Sequence, residues 1–188
     1  MKIEVSSEKH LVYIDQIVTE MAESAKNRGT GIAKRRPEYL AEKIMQGCAV
    51  IATDNYGNWA GFCYMQSWSD DSFVSNSGLV VSPTFRKRGL AKLIKTKMYE
   101  LAQIKFPKAK LFGLTTGLAV MKINSELGYQ PVTYSELPQD EKFWKGCESC
   151  INHGILMSKD RNNCLCTAML FDPKSINNSK ELQKEYKD

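Results

Sequence analysis

The chain has 188 residues, of which 43% are hydrophobic and 25% are charged, and its formal net charge is +5. This balance excludes an intrinsically disordered chain and predicts one globular domain whose core is large enough to fold without disulfide bonds. The basic residues are spread along the chain, so no nucleic-acid partner is expected. No membrane association is expected either, because no apolar run approaches the ~20 residues of a spanning helix.

The N-terminal half carries the patterns of helices alternating with strands. Residues 1–5 alternate polar and apolar side chains, which indicates a strand rather than a signal peptide and makes a cytoplasmic location the expectation. From Ser7 to about Ala25 apolar residues recur at helical spacing, and Pro37 suits the first turn of a second helix. The predicted elements are, in order, a strand at 1–5, a helix from 7 to about 25 capped by Ser6 or Ser7, a helix at about 37–46, and strands at 49–53 and 59–68 joined by a turn.

The C-terminal half continues with strand and helix patterns and ends in a polar tail. The predicted order of hairpin strands followed by a strand-helix-strand-helix unit indicates a mixed α/β layer with helices on both faces. We therefore expect one domain over residues 1–173 and a frayed or loosely helical tail over 174–188. The predicted elements are strands at 74–81 and 110–116, helices at 89–104 and 119–127, and later strands at 130–134, 154–158 and 164–171.

A basic loop between a predicted strand and a predicted helix indicates an anion site. Gly89 lets the backbone approach a ligand closely, and the small Ala91 keeps the other side open. The first amides of the helix are unpaired and lie at the positive end of its dipole. The run Arg86-Lys87-Arg88 adds cations where the dipole disfavours them, so a bound anion explains this loop better than an ordinary helix start.

The pattern Arg-x-x-Gly-x-Ala, preceded by Leu79-Val80-Val81-x-Pro83, resembles the acetyl-CoA loop of the GNAT N-acetyltransferase superfamily. The resemblance implies the GNAT fold, an α/β fold with a mixed, mostly antiparallel central sheet, a splayed strand pair and helices on both faces. It also implies that the pyrophosphate lies on the loop amides and that the preceding strand pairs with the pantetheine arm. The cofactor-binding residues are then Leu79, Val80, Val81, Arg86, Lys87, Arg88, Gly89, Leu90, Ala91 and Lys92.

Further segments resemble the acyltransferase domain of N-acetylglutamate synthases, over roughly residues 3 to 138. They are Leu114-Thr115-Thr116, then Gly128-Tyr129-Gln130-Pro131-Val132 and Leu137-Pro138, together with the earlier Gly31-Ile32-Ala33-Lys34-Arg35. The resemblance implies transfer of an acetyl or succinyl group from acetyl-CoA or succinyl-CoA to glutamate, as in arginine biosynthesis. Two substrate carboxylates need forked or charged donors. The candidate substrate-binding residues are Lys34, Arg35, Arg36, Thr115 and Thr116.

Three positions are candidates for catalysis. A strand amide at about Val81 can donate a hydrogen bond where negative charge develops on the thioester oxygen. Ser77, or Ser75 on the same strand, can orient a water molecule. Asn124 stands where many superfamily members have a tyrosine; it can donate a hydrogen bond to the leaving thiolate but cannot supply a proton. Glu126 and Glu136 are nearby acids, and an exposed structural role is favoured for both.

Four of the six cysteines form two closely spaced pairs near the C-terminus, Cys147-x-x-Cys150 and Cys164-x-Cys166. These spacings can chelate zinc, and on a strand residues 164 and 166 would face the same side. Ordinary buried thiols and a redox role are the alternatives. The other two, Cys48 and Cys63, are predicted core residues.

The sequence therefore predicts a coenzyme-A-dependent N-acyltransferase that acts on a small acidic amino acid. Two alternatives stay open. One is acylation of another amine, such as a polyamine, an antibiotic or a protein N-terminus, although the basic segment 34–36 argues against a polyamine. The other is a non-catalytic sensor that binds acyl-CoA. The oligomeric state is open as well, and a homodimer is among the expectations.

Overall fold

The computed structural model describes residues 1–27, 29 and 34–175. Over these residues the strands form one seven-stranded sheet in the order β1-β2-β3-β4-β5-β7-β6. Every neighbouring pair is antiparallel except β4 and β5. The strands are β1 Lys2–Val5, β2 Ala49–Thr53, β3 Trp59–Trp68, β4 Phe73–Val81, β5 Lys110–Thr115, β6 Gln130–Val132 and β7 Thr167–Phe171.

The helices match the predicted pattern closely in the first two thirds of the chain. Ser7, one of the two predicted cap residues, is the cap, although the first turns, Glu8–Tyr13, are a 3-10 helix. Pro37 occupies the first turn of α2, as its fixed backbone angle favours. The helices are α1 Ile14–Asn27, α2 Pro37–Met45, α3 Leu90–Lys105, α4 Leu118–Glu126, α5 Glu141–Lys145 and α6 His153–Met157.

Two predictions near the C-terminus are wrong. Residues 154–158 were predicted as a strand, but His153–Met157 is the short helix α6. A short apolar run fits either a strand or a buried helix, and here only Leu156 of that run is buried. The predicted strand 164–171 begins only at Thr167, so Cys164 and Cys166 precede it and the strand argument for their shared direction fails. Of the predicted tail 174–188, residues 176–188 lie outside the described ranges.

The helices cover the two faces of the sheet. The helix α3 packs Ile94 and Met98 against β2 to β4 on one face, whereas α1 and α2 pack Ile17 and Leu40 on the other. The contact of α3 is close, since a Cβ atom at Gly61 would lie 2.6 Å from the Ile94 side chain. Burial of each such aliphatic side chain contributes roughly 1.5–3 kcal/mol. The two layers therefore hold the start of α3 firmly against the end of β4.

The two parallel strands at the centre of the sheet separate along their length. They pair only from Phe73 with Lys110 to Ser75 with Phe112. Beyond that point the remainder of β4, residues 76–81, has a strand partner only on its β3 side. We call this opening the fork. A register shift at Gly78, with φ +66°, adds a bulge beside it.

Within the described ranges, no helix is both long enough and apolar enough to cross a membrane.

Candidate functional site

The loop between β4 and α3 is organised around a glycine in a left-handed conformation. Gly89 has φ +75° and caps α3, and its carbonyl accepts from the amides of Lys92 and Leu93 at 3.0 and 3.3 Å. A Cβ atom at this position would meet no atom within 4 Å. Among the described residues, the amides of positions 87–91 have no backbone acceptor. Free amides at a helix start beside open space form a site for an anion.

The three cations of this loop have different roles. The Arg86 guanidinium, although partly exposed, ion-pairs with Glu20 of α1 and donates to the Val81 carbonyl at 3.1 Å. Lys87 and Arg88 are exposed. The Arg86 side chain, predicted to bind the cofactor, is thus engaged within the protein and fixes the loop against α1, while the other two cations stay available to an anion.

The remaining predicted cofactor residues also differ in whether their side chains or only their backbone can face a ligand. Leu90 is buried in the core, so only its backbone can face a ligand. Lys92 ion-pairs with Glu126 of α4 at 2.8 Å, so these two side chains link the surfaces of α3 and α4. Val80 is buried on the α1 and α2 face, whereas Leu79 and Val81 pack on the α3 face. The backbone of this segment borders the fork and can pair with an extended ligand.

A group of buried polar residues lies on the α3 and α4 face of the fork. The Asn76 amide donates to the Tyr129 hydroxyl at 2.6 Å, and the Lys95 ammonium lies 5.4 Å from the centre of the Tyr129 ring. Burial lowers the pKa of Lys95 and raises the pKa of Tyr129. Sequence reasoning missed Asn76 and Lys95. The only sequence signal was a lysine beside the apolar face of α3, and such a lysine usually faces solvent.

Two amide oxygens in this group have no partner among the described residues, Oδ1 of Asn76 and Oδ1 of Asn124. Asn124, predicted to be catalytic, is 1% exposed and its amide nitrogen lies 3.7 Å from the Met169 sulfur. A Cβ atom at Gly113 would lie 3.9 Å from the Asn124 Nδ2 and 3.6 Å from the backbone carbonyl oxygen of Asn76. Buried acceptors without donors are costly unless a ligand or water supplies the hydrogen bond.

Ser77 precedes the bulge and is half-buried. Its carbonyl accepts from the Cys63 thiol at 3.4 Å, and burial raises the pKa of that thiol to about 11. Cys63 is therefore a neutral core residue, in agreement with the sequence prediction. Cys48, the other predicted core cysteine, is only half-buried.

On the opposite face of the sheet, Arg35 lies beside the bulge. Its Nε donates to the Tyr64 hydroxyl at 2.7 Å, and its Nη1 donates to the Lys34 and Gly146 carbonyls at 3.2 and 3.4 Å. The Tyr64 ring in turn fills the space next to Gly78, where a Cβ atom would lie 2.6 Å from it. All these partners are neutral. Within the described part of the chain Nη2 has no partner, and no carboxylate neutralises the Arg35 charge.

The other predicted substrate residues are less closely placed. Lys34 and Arg36 are exposed on either side of Arg35. Thr115 ends β5, and its hydroxyl accepts from the Gly117 amide at 3.0 Å; Thr116 follows it and is half-buried. The hydrogen bonds do not join either threonine to Arg35. The matching segment that precedes Lys34, residues 31–33, lies outside the described residues.

The two acids considered near the site have structural roles. Glu126 holds Lys92, and Glu136 accepts from the Thr133 amide at 3.2 Å at the start of a short 3-10 turn. Both are exposed, so neither is placed as a general base.

The four C-terminal cysteines are brought together. Cys147, Cys150, Cys164 and Cys166 line one cavity of about 30 Å³, together with Tyr134 and His153. Burial is the main cause that raises the pKa of the Cys166 thiol to about 12, and the neighbouring thiols add to it. None of the four is in a disulfide. In the described ranges, no three His, Cys, Asp or Glu side chains are grouped as a ready-made metal site.

A larger depression of about 440 Å³ lies between α1 and the end of β4. It is lined by Asp15, Glu20, Trp59 and Ser82 among others. Its lining does not include the loop residues 87–91, so size alone does not make it the cofactor site.

Comparisons with known proteins agree with this geometry. No family model and no curated protein matches the sequence. Among solved structures, N-acetylglutamate synthase from Neisseria gonorrhoeae, in complex with coenzyme A and N-acetyl-glutamate, is similar at 19% identity and TM-score 0.63; the match covers 91% of this chain and 34% of that one. This chain thus spans about a third of that synthase.

Two shorter proteins are similar over nearly their whole length. Rv2747 from Mycobacterium tuberculosis, in complex with CoA, shares 16% identity at TM-score 0.64, over 92% of this chain and 99% of that one. A GNAT phosphinothricin acetyltransferase from Sinorhizobium meliloti, in complex with acetyl-CoA, shares 14% identity at TM-score 0.60, over 91% and 87%. The seven-stranded sheet, the fork between β4 and β5 and these likenesses together show that the chain has the fold of the GNAT acetyltransferases.

Proposed function

We propose that this protein is a coenzyme-A-dependent N-acyltransferase. The observation that carries the proposal is the continuity of the fork with the β4–α3 loop. An unpaired strand edge at residues 76–81 leads directly to the free amides of positions 87–91. Coenzyme A has the matching shape, an extended pantetheine arm that ends in a pyrophosphate.

The backbone and the cations near the fork fit this ligand. Gly113, on β5 across the fork, has no side chain, and its nearest neighbours are the Asn76 backbone carbonyl and the Asn124 amide nitrogen. Lys87 and Arg88 add positive charge near the pyrophosphate position without being held by another carboxylate.

Acyl-CoA supplies an acyl group activated as a thioester. The chain's own residues position the two substrates and donate hydrogen bonds to them. A backbone amide at the bulge, between Leu79 and Val81, is a donor for the developing oxyanion. Asn124 can donate to the leaving sulfur but cannot protonate it. The acceptor ammonium must lose a proton before it attacks the thioester, and a water ordered by Ser77 can relay that proton to solvent.

We propose glutamate as the acceptor because of Arg35. This guanidinium lies beside the bulge, is held by neutral groups and has one nitrogen left for a carboxylate. Lys34 and Arg36 flank it and can serve the second carboxylate. The likeness to a synthase that binds N-acetyl-glutamate supports the same acceptor. Acetyl-CoA and succinyl-CoA are both proposed donors, and the setting would be arginine biosynthesis in the cytoplasm.

Two alternatives rest on specific observations. Another amine acceptor is favoured by the likeness to a phosphinothricin acetyltransferase. A sensor that binds acyl-CoA without turnover is favoured by Asn124, since no proton donor stands at that position. A homodimer stays a prediction that light scattering can check.

The decisive experiment is a thiol-release assay with acetyl-CoA and succinyl-CoA against a panel of amino acids, polyamines and peptides. We expect release with glutamate for at least one donor. Release only with another amine would replace glutamate, and tight acyl-CoA binding without any release would establish the sensor.

A further inference from the structure

The segment 145–166, which we call the cysteine lobe, folds with almost no hydrophobic core. Leu156 is its only buried residue, whereas Ile151, Leu165 and Met157 are 83%, 61% and 45% exposed. Its regular structure amounts to the five-residue helix α6. Every backbone–backbone hydrogen bond within it joins residues no more than five apart. Neither burial nor a strand ladder accounts for a defined conformation here, and short segments of this kind need a cross-link or a metal.

The cysteines of this lobe are the side chains that could supply the missing cross-link. Two thiols come from the turn at Cys147 and Cys150, where the Cys150 amide donates to the Cys147 carbonyl at 2.9 Å. The other two come from Cys164 and Cys166, just before β7. All four line the same cavity of about 30 Å³, which is close to the space of a single water molecule or ion.

We propose that these four cysteines bind one zinc ion as thiolates. Four thiolates in a Cys-x-x-Cys and Cys-x-Cys arrangement suit a soft or borderline cation with tetrahedral geometry, which zinc accepts without redox chemistry. The thiols do not surround a common point as they stand. Rotation of a cysteine about its Cα–Cβ bond moves its sulfur by about 3 Å, and zinc binding would require such rotations. On binding, the four thiols release their protons to solvent.

The ion would also stabilise the acceptor side of the site. Lys34 donates its amide to the Ser149 hydroxyl at 2.9 Å, and Arg35 donates to the Gly146 carbonyl at 3.4 Å. Both contacts fall in the turn that contains Cys147 and Cys150. The cysteine lobe therefore holds the basic segment 34–36 in place. This coupling rests on the proposed function, whereas the metal site does not.

The metal is tested without reference to activity. The reduced chain is purified without chelator or metal-affinity resin, and its zinc and iron contents are measured. We expect about one zinc ion per chain and no iron. We also expect four thiols that react with a thiol reagent only after zinc is removed by a chelator. Iron in place of zinc would overturn the proposal. The proposal would also be overturned if protein from cells grown with added zinc held no zinc and, as the reduced apo chain, bound none.

Matched variants locate the site. The double variant Cys147→Ser, Cys166→Ser removes one thiol from each pair and should lose the zinc, whereas Cys48→Ser, outside the lobe, should retain it. Full zinc retention by the double variant would overturn the assignment. If the double variant fails to fold, Cys166→His keeps a zinc ligand at that position and should still bind the ion; its failure to bind, in a folded chain, would count against the site.

The coupling between the cysteine lobe and the basic segment 34–36 is tested by steady-state kinetics. Zinc removal from the wild-type chain should raise the KM for the amine acceptor at least about fivefold and leave the KM for acyl-CoA within about twofold. Equal effects on both would overturn the coupling. A chain that holds zinc but shows no thiol release would refute the proposed function while leaving the metal site intact.

Discussion

Two runs of three basic residues, Lys34-Arg35-Arg36 and Arg86-Lys87-Arg88, have the same composition but different surroundings. In the second run, Arg86 is paired with a carboxylate, that of Glu20, so its charge is neutralised within the protein. In the first run, Arg35 is held by a tyrosine hydroxyl and two carbonyls, so its charge is oriented but not neutralised. The anion site proposed for the second run depends on backbone amides, whereas the one proposed for the first depends on a side chain. A cluster of cations in a sequence does not show which cation is available to a ligand.

The largest effect is expected from the backbone of the second run. Gly89→Val should reduce kcat/KM for acyl-CoA about 100-fold, because φ +75° is strongly disfavoured for a β-branched residue and the loop amides would turn away from the anion. Gly57→Val is the matched control, since Gly57 has φ +84° in a hairpin turn with equally open space. Steady-state kinetics that show equal losses in both variants would indicate a loss of stability only.

The next effect tests the side chain of the first run. Arg35→Ala should raise the KM for glutamate about 30-fold, since a charged hydrogen bond to a carboxylate is worth about 2 kcal/mol. The KM for acyl-CoA should change less than about twofold. Arg36→Ala, an exposed neighbour, is the control and should have a much smaller effect. Equal increases in both Michaelis constants would contradict a carboxylate-binding role for Arg35.

A smaller effect tests whether orientation of Arg35 matters. Tyr64→Phe removes the hydroxyl that accepts from Arg35 Nε at 2.7 Å but keeps the ring beside Gly78. The loss of one hydrogen bond should raise the KM for glutamate about fivefold. In the Arg35→Ala background the same change should have almost no effect. Independent, multiplicative effects of the two changes would show that Tyr64 acts elsewhere.

The smallest effect tests the neutralised cation. Arg86→Ala and Glu20→Ala should each lower the free energy of unfolding by about 1 kcal/mol, because Arg86 is partly exposed although Glu20 is buried. The double variant should lose little more, because each single variant already loses the same ion pair. Urea unfolding of the four proteins measures this coupling. Strict additivity would mean that the Val81 carbonyl, and not Glu20, holds Arg86.

The local sequence predicted most of the elements that form the fork. The signals that succeeded each lie within a single element, so local backbone preference decides their effect. They include Pro37 in α2, and Gly89 and the helical spacing in α3. Prediction failed in the cysteine lobe, where residues 154–158 form a helix rather than a strand. A five-residue apolar run has no decisive period, and its conformation depends on what packs against it.

The sequence by itself determined the order of the elements as far as β6, the glycine turn at the start of α3 and the presence of two paired cysteine motifs, because these depend on residue types at fixed short spacings. Only the tertiary structure decided which groups are neutralised and which are available. It placed Glu20 against Arg86, left Arg35 with neutral partners and buried Lys95 and Asn76 at the fork. Each of these contacts joins residues far apart in the chain, and the register of the sheet and the packing of α1 and α3 on its two faces bring them together.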